Sequence, residues 1–582
     1  MICGLGYSDY HKAFRFINKE TKKIVISRDV RFVEMEDDLE NEISTLPSMT
    51  IFEYESVLSQ PAVEDKINDD VLFQEECESD SSSNDSPCED DDSEGNANND
   101  EEEICLRRSN RSTKGQLPTR FRETTGMARK FIAEPRNFNE AVNGTEAAQW
   151  RMAMDNEIES LKNHGTWKLV NLPGDRKAVG SKWIFKRKLD EYGNVAQYKA
   201  RLVAQGFSQK FGTDFDEVFA PVLRQVTFRA LLTVASANNM LVKHADVETA
   251  YLNGDLNETI YMRQPPGYEV GDRGTVCLLQ KSMYGLKQAG HAWNLKLDKV
   301  LKKLGFEQSV NDPCLYVRRQ NELFTYLIVY VDDMVISCHT EKEYVELISA
   351  LNRNFTVLSL GDIRHFLGIQ VRRSEKQFSL NQRTYIQKLI ERFGLSEAKS
   401  SNIPLDPGHL QQKEESERLP NNHQYSSLIG GLLYVSVNTR PDIAVSVSIL
   451  GRSMSNPSQA DWVEAKRILR YLKFTQNHEL VLGSGQTTLE VYVDADWAGD
   501  IKTRKSNSGF LVTFGGGSIH WVSRKQTCVA LSSTEAEFVA LAECCQEVKW
   551  IDRLLNDFFR ESDETNYNSR GQPVLYQPFG IW

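Results

Sequence analysis

The run Leu323-Phe324-Thr325-Tyr326-Leu327-Ile328-Val329-Tyr330, continued by Val331-Asp332-Asp333 and then Met334-Val335-Ile336-Ser337-Cys338, decides the fold. Its two arms are dense in β-branched and aromatic residues, so the segment predicts a β-hairpin with Asp332 and Asp333 at the tip. Taken alone, an Asp-Asp pair also fits an ordinary polar turn. Between apolar strands, however, two adjacent carboxylates repel one another and raise each other's pKa unless a cation lies between them. Mg²⁺ suits such a pair, because it is held by one or two carboxylates together with substrate phosphates. Two ions require a third carboxylate. Asp246 is the candidate: in His244-Ala245-Asp246-Val247-Glu248-Thr249-Ala250-Tyr251 it closes the apolar run 240–245 and precedes the turn-like Asn253-Gly254.

Outward from this hairpin, helical and strand signals alternate. Trp150, Met154, Ile158 and Leu161 recur at helical spacing, with Gly165 where a C-terminal cap belongs. Residues 183–188 and 199–205 read as strands, and 461–473 as an amphipathic helix. Further on, Leu489, Val491 and Val493 mark one face of a strand that ends in Asp494. Ser532 and Glu535 then form a capping-box pattern that opens a long helix. On that helix Glu537 precedes Leu541, Cys544 and Val548 at helical spacing, so a carboxylate is expected to head an apolar face. A first-turn acid that merely complements the helix dipole would have the same pattern. Helices interleaved with antiparallel hairpins, without internal repeats, place the chain in the α+β multidomain class.

A chain of 582 residues is too long for one hydrophobic core, so several domains are expected. The formal net charge of -13 is concentrated: from residue 61 to 106, 18 Asp and Glu stand against Lys66 alone, which leaves the rest at +4 and permits phosphate binding. The acidic, Ser- and Asn-rich stretch 36–117 is predicted to be a disordered linker, since it cannot offset its ordering entropy by burial. Ahead of it, 1–35 alternates like a small hairpin turning at Asn18-Lys19-Glu20 and is too short for a core of its own. The ten cysteines form no C-x-x-C pair and no zinc spacing with histidine, and the N-terminus is not signal-like. A reduced, intracellular protein is expected. No apolar run approaches the roughly 20 residues of a membrane helix.

Four motifs in this order, HADVETAYLNG, KSMYGLKQAG, YVDDMVI and FLGIQV, together with Phe219-Ala220-Pro221-Val222, resemble the reverse transcriptase of copia-type LTR retrotransposons. The likeness runs from about Asn137 to the C-terminus. It implies a right-hand polymerase, with fingers and palm over 118–400 and thumb or connection helices over 401–485. It further implies RNA-directed DNA polymerase activity with two Mg²⁺ ions held by Asp246, Asp332 and Asp333. By the same resemblance Tyr251 would lie under the incoming sugar and exclude a 2′-hydroxyl, and Tyr284 and Gly285 would help form the nucleotide pocket. Lys199 and Arg201 would reach the triphosphate, and Leu367 and Gly368 would belong to the primer grip. The implied partners are an RNA template, a DNA primer, their hybrid and dNTPs, with no membrane, and either a homodimer or other Pol-derived proteins. One departure stands out: where the family continues the Tyr284 motif with Ala-Pro-Arg, this chain has Ala289-Gly290-His291.

VYVDADWAGD and LSSTEAEF resemble the RNase H domain of the same elements. By that likeness Asp494 and Glu537 match the first two of four acidic metal-binding positions, and Asp496 and Asp500 have no assigned role. The third acid would follow 574–577, where Pro578-Phe579-Gly580-Ile581-Trp582 stands. The α/β RNase H-like domain, 486–582, is therefore expected to be truncated and its activity lost. GYSDYHKAFRF and KKIVISRDVRF resemble the last small domain of a copia-type integrase, so 1–35 is expected to be its remnant. The competing expectation is a decayed or domesticated chain that binds nucleic acid without polymerising.

Overall fold

The computed structural model describes residues 2–7, 14–18, 24–27, 134–189, 195–320, 323–409, 416–483, 485 and 488–559. The expected linker 36–117 and the residues 560–582, on which the expected RNase H truncation rests, lie outside them. The chain divides into two compact units, Met1–Pro118 and Thr119–Trp582. In the first, strands Ile2–Tyr7, Phe14–Asn18 and Ile24–Ser27 form an antiparallel sheet in sequence order, which includes the expected hairpin.

In the second unit, after the short helix Phe138–Asn143, helix α1 (Ala147–Asn163) buries Trp150, Met154, Ile158 and Leu161 as their spacing predicts. Gly165, at φ +61°, turns the chain just past its end. Strands β1 (Ser181–Leu189) and β2 (Val195–Ala204) form an antiparallel hairpin over that face, with Trp183, Phe185, Ala200 and Leu202 turned inward. Helix α2 (Gln225–Ala237) is buried almost from end to end and leads into β3 (Leu241–Val247).

After helix α3 (Ala289–Lys303) come β4 (Leu315–Gln320), β5 (Leu323–Tyr330), β6 (Asp333–Cys338), helix α4 (Glu341–Leu351) and β7 (Val357–Asp362). With the short edge strand Glu307–Gln308 they build an antiparallel sheet in the order Glu307–Gln308, β4, β5, β6, β3, β7. Leu327, Val329, Met334 and Ile336 pack with Trp293 and Leu297 of α3 and Leu347 of α4 on one face. Tyr326, Ile328, Val335 and Val242 pack with Phe228 and Leu231 of α2 on the other. Burial on both faces explains why β5 reads as a continuous apolar run rather than an alternating one.

Strands β8 (His365–Phe366), β9 (Ile369–Ser374) and β10 (Gln377–Asn381) follow. Helices α5 (Arg383–Arg392), α6 (His423–Asn438), α7 (Ala444–Gly451) and α8 (Gln459–Phe474) then enclose a core that includes Ile386, Leu428, Val447 and Leu469. The expected helix at 461–473 is α8, begun by a capping box between Ser458 and Asp461. Strand β11 (Leu480–Leu482) returns to pair with β10.

Strands β12 (Leu489–Ala495), β13 (Asn507–Phe514) and β14 (Gly517–Lys525) form an antiparallel sheet crossed by the long helix α9 (Ser533–Phe559). Only half of the expected capping box forms at its start. Ser532 Oγ accepts from Glu535 N at 3.1 Å, but the Glu535 carboxylate accepts from Leu531 N. The buried face runs through Ala536, Ala540, Cys544, Val548, Ile551 and Leu555, so Glu537 flanks this face instead of heading it. The expectation holds at Cys544 and Val548 but lies one residue late in the first two turns, where Ala536 and Ala540 are buried in place of Glu537 and Leu541.

The C-terminal half of α9 docks on the back of the six-stranded sheet. Tyr326 Oη donates to Phe558 O at 2.6 Å, Asn311 Nδ2 donates to Asp557 at 2.8 Å, and Trp550 Nε1 donates to Asn311 O at 2.9 Å. Arg229 on α2 ties the same junction together. Its guanidinium donates to the Ile519, Val437 and Asn438 carbonyls at 2.7, 2.9 and 2.9 Å and stacks over Trp521. One hydrophobic core therefore runs from α2 and β5 into β13, β14 and α9.

Candidate active site

The β5–β6 hairpin closes through the two residues Val331 and Asp332, because Tyr330 pairs with Asp333. Val331 takes φ +59°, a region costly for a β-branched residue, and the surroundings hold it there. Trp293 Nε1 donates to Val331 O at 2.7 Å, and Val247 N donates to Asp332 O at 2.9 Å. The tip is thus pinned from α3 on one side and from β3 on the other.

Strand β3 runs antiparallel beside β6 with Asp246 directly opposite Asp333. The period-two alternation of a strand puts Val242, His244 and Asp246 on one face, the α2 side, where His244 Nε2 lies 3.0 Å from Asp333 Oδ1. Burial pushes the Asp246 carboxyl above the usual carboxylate range, and Asp332 and Asp333 push it further. Asp332 is raised by burial and by Asp333. Arg201 and Lys199 act against this for Asp332, which puts these two cations of β2 within its electrostatic reach. Lys199 is itself lowered by burial and by its neighbours Arg201 and Lys188.

Arg201 lies 4.6 Å from the centre of the Tyr284 ring, and Tyr284 meets Tyr251 edge to face at 5.0 Å. Burial pushes the Tyr284 hydroxyl up to about 12, and burial with Asp332 raises Tyr251. Both tyrosines therefore stay neutral at physiological pH. Tyr251 stands in a 3₁₀ turn, Ala250–Asn253, entered through Thr249 at φ +51°. Gly285, at φ +90°, touches the backbone of β2: a Cβ there would stand 2.1 Å from Ala204 O. Ala204 N donates to Tyr284 O at 2.8 Å and Gly206 N to Gly285 O at 3.1 Å. The glycine is thus explained by a close backbone approach.

Leu367 and Gly368 form the two-residue turn between β8 and β9, both in the left-handed region, with Tyr434 Oη donating to Leu367 O. Phe366, just before the turn, meets the His244 ring edge to face at 5.9 Å. The departure at Ala289-Gly290-His291 also has a local role. Gly290 leaves room for Ala220, and His291 Nδ1 lies 2.8 Å from Phe219 O.

Two neighbours of the site were not singled out in the sequence. Glu157 of α1 accepts from Leu202 N at 3.2 Å beside Lys199 and Arg201, and burial raises its carboxyl. His244 is the other; its two-residue spacing from Asp246 was the available signal. On β12, Asp494 is exposed, and its carboxylate accepts from Ala495 N at 2.9 Å. Asp500 is bound to Arg452, Lys525 and Thr503. Burial works to raise it, but the Thr503 hydrogen bonds and Lys525 hold it well below the usual range, as befits a structural acid.

Among the described residues, no three of His, Cys, Asp and Glu are gathered so as to enclose an ion by themselves. The donor set still suits Mg²⁺: Asp332 and Asp333 lie close enough to Asp246 to disfavour its charge, and this ion takes its remaining oxygens from water and phosphate.

An antiparallel sheet carrying acids on two adjacent strands, with a basic hairpin facing them, gives this unit a polymerase fold. Residues 164–407 match the family described as "Reverse transcriptase (RNA-dependent DNA polymerase)", and residues 4–45 match the "Retroviral polymerase SH3-like domain". The chain is 41% identical over 439 residues to the "Retrovirus-related Pol polyprotein from transposon TNT 1-94" of Nicotiana tabacum, covering 73% of this chain and 33% of that one. It is 33% identical over 308 residues to a putative transposon Ty5-1 protein of Saccharomyces cerevisiae, covering 52% of this chain and 100% of the relative. A foamy viral protease-reverse transcriptase solved with double-stranded DNA aligns at a TM-score of 0.39 and 13% identity, over 70% of this chain and 61% of that one, too distant to transfer any residue role. The chain belongs to the reverse-transcriptase family of copia-type retrotransposon Pol polyproteins. It spans about a third of the length of the plant Pol polyprotein it matches.

Proposed function

We propose that this chain is an RNA-directed DNA polymerase that joins a primer 3′-hydroxyl to the α-phosphate of a template-selected dNTP and releases pyrophosphate. The observation that carries the reading is the direct pairing of Asp246 with Asp333, beside Asp332 at the hairpin tip. Asp246, Asp332 and Asp333 are the residues that would hold two Mg²⁺ ions. Bound there, the ions would activate the 3′-oxygen and offset charge on the triphosphate. Lys199 and Arg201 bind the triphosphate from the fingers, with Glu157 behind them. Tyr251 lies under the incoming sugar and excludes a 2′-hydroxyl, and Tyr284 and Gly285 help form the nucleotide pocket. Leu367 and Gly368 hold the primer strand.

RNA template, DNA primer and their hybrid would be bound through backbone and shape, so binding should weaken steeply with salt. We assign β12 to α9 to a ribonuclease H-like unit, with Asp494 and Glu537 as its acidic pair. Other Pol-derived proteins or a second copy are the proposed protein partners, in an intracellular particle or the nucleus. Primer extension on poly(rA)·oligo(dT) tests the reading. Wild type should extend the primer and Asp332→Asn should not; binding without extension by wild type would establish the non-polymerising alternative instead.

A further inference from the structure

His244 makes two contacts that meet at one ring. Its Nε2 lies 3.0 Å from Asp333 Oδ1. A carboxylate oxygen accepts, so the contact is a hydrogen bond in the ring form that carries its hydrogen on Nε2. The ring edge meets Phe366 at 5.9 Å, and Phe366 is a core residue that also packs on Phe228 of α2. Phe366 immediately precedes the Leu367-Gly368 turn, itself tied down by Tyr434. One side chain on β3 therefore meets both a carboxylate of the hairpin and the residue that immediately precedes the neighbouring turn.

We propose that His244 is a positioning residue that fixes the Asp333 carboxylate and, by bracing Phe366, sets the Leu367-Gly368 turn in register with the carboxylate cluster. The inference rests on the polymerase reading, in which that turn holds the primer. The two contacts can be removed separately. His244→Phe keeps an aromatic ring against Phe366 and loses the donor. His244→Gln keeps an N–H donor of similar reach and loses the ring.

The test measures Mn²⁺ binding to the substrate-free chain by electron paramagnetic resonance, together with kcat, KM for dTTP and the Kd for poly(rA)·oligo(dT). A hydrogen bond to a charged group is worth about 1.5–3 kcal/mol, so His244→Phe should weaken Mn²⁺ binding and lower kcat by roughly tenfold or more, with the template-primer Kd unchanged. His244→Gln should bind Mn²⁺ within about threefold of wild type and weaken template-primer binding instead. Far-UV circular dichroism and melting temperature check that both variants fold; His244→Leu, apolar and without a donor, replaces His244→Phe if that variant does not fold, and His244→Asn replaces His244→Gln. Equal Mn²⁺ binding by wild type and His244→Phe, or the same defect in both variants, would overturn the inference. Failure of wild type to extend a primer would instead overturn the polymerase reading and leave the Mn²⁺ comparison standing.

Discussion

Asp246 and Asp333 face each other across adjacent antiparallel strands, 87 positions apart in sequence and paired in register. Neither strand alone can make the site. The carboxylate cluster exists only where the long-range pairing of β3 with β6 meets the local β5–β6 hairpin.

That crowding costs stability in the metal-free protein. Asp246 and Asp332 have raised folded pKa values, so each binds more protons folded than unfolded at pH values between its unfolded and folded pKa. Their contribution favours folding as pH falls from neutral through the raised range, and levels off below the unfolded value of about 4. In EDTA, Asp332→Asn should therefore melt above wild type at pH 8, with the gap narrowing toward pH 4.5. A scan of melting temperature against pH checks this; an Asn variant that melts lower than wild type at pH 8 would contradict it.

Gly285→Ala tests the contact between the Tyr284-Gly285 turn, the proposed nucleotide pocket, and strand β2. The added methyl would stand 2.1 Å from a backbone oxygen at φ +90°, so the turn or the strand must move. A loss of about 2 kcal/mol or more in urea unfolding is expected, with a raised KM for dNTP as Arg201 and Tyr284 separate.

How much of this was legible beforehand follows from the range of each signal. The hairpin at 323–338, its acidic tip and the Trp150 helix are local patterns, and the structure forms all of them. Strand β3 extends one residue past Asp246, a small boundary shift. His244 and Glu157 escaped notice because their partners, Asp333 and the Lys199-Arg201 pair, are distant in sequence. Glu537 was misplaced because helical spacing allows neighbouring stripes, and only packing against β12 and β13 selects the one through Ala536 and Ala540. Nothing in the sequence signalled that α9 would end against Tyr326.

That docking gives another expected outcome. Arg229→Met would leave the Ile519, Val437 and Asn438 carbonyls without their buried donor, where each unsatisfied group costs about 1–3 kcal/mol. Urea unfolding should show a loss of about 3 kcal/mol or more, with polymerase and C-terminal segments unfolding in one transition in wild type. Two separate transitions in wild type would show that the shared core does not couple them.

Single-nucleotide incorporation by Asp246→Asn, with template-primer affinity measured on the same preparation, tests the joint carboxylate site most directly. The predicted result is an unchanged Kd and a rate lowered by about a thousandfold or more, since a metal-holding carboxylate is lost while the nucleic-acid surface is kept. Incorporation near the wild-type rate would show that Asp246 does not serve the chemistry at Asp332 and Asp333.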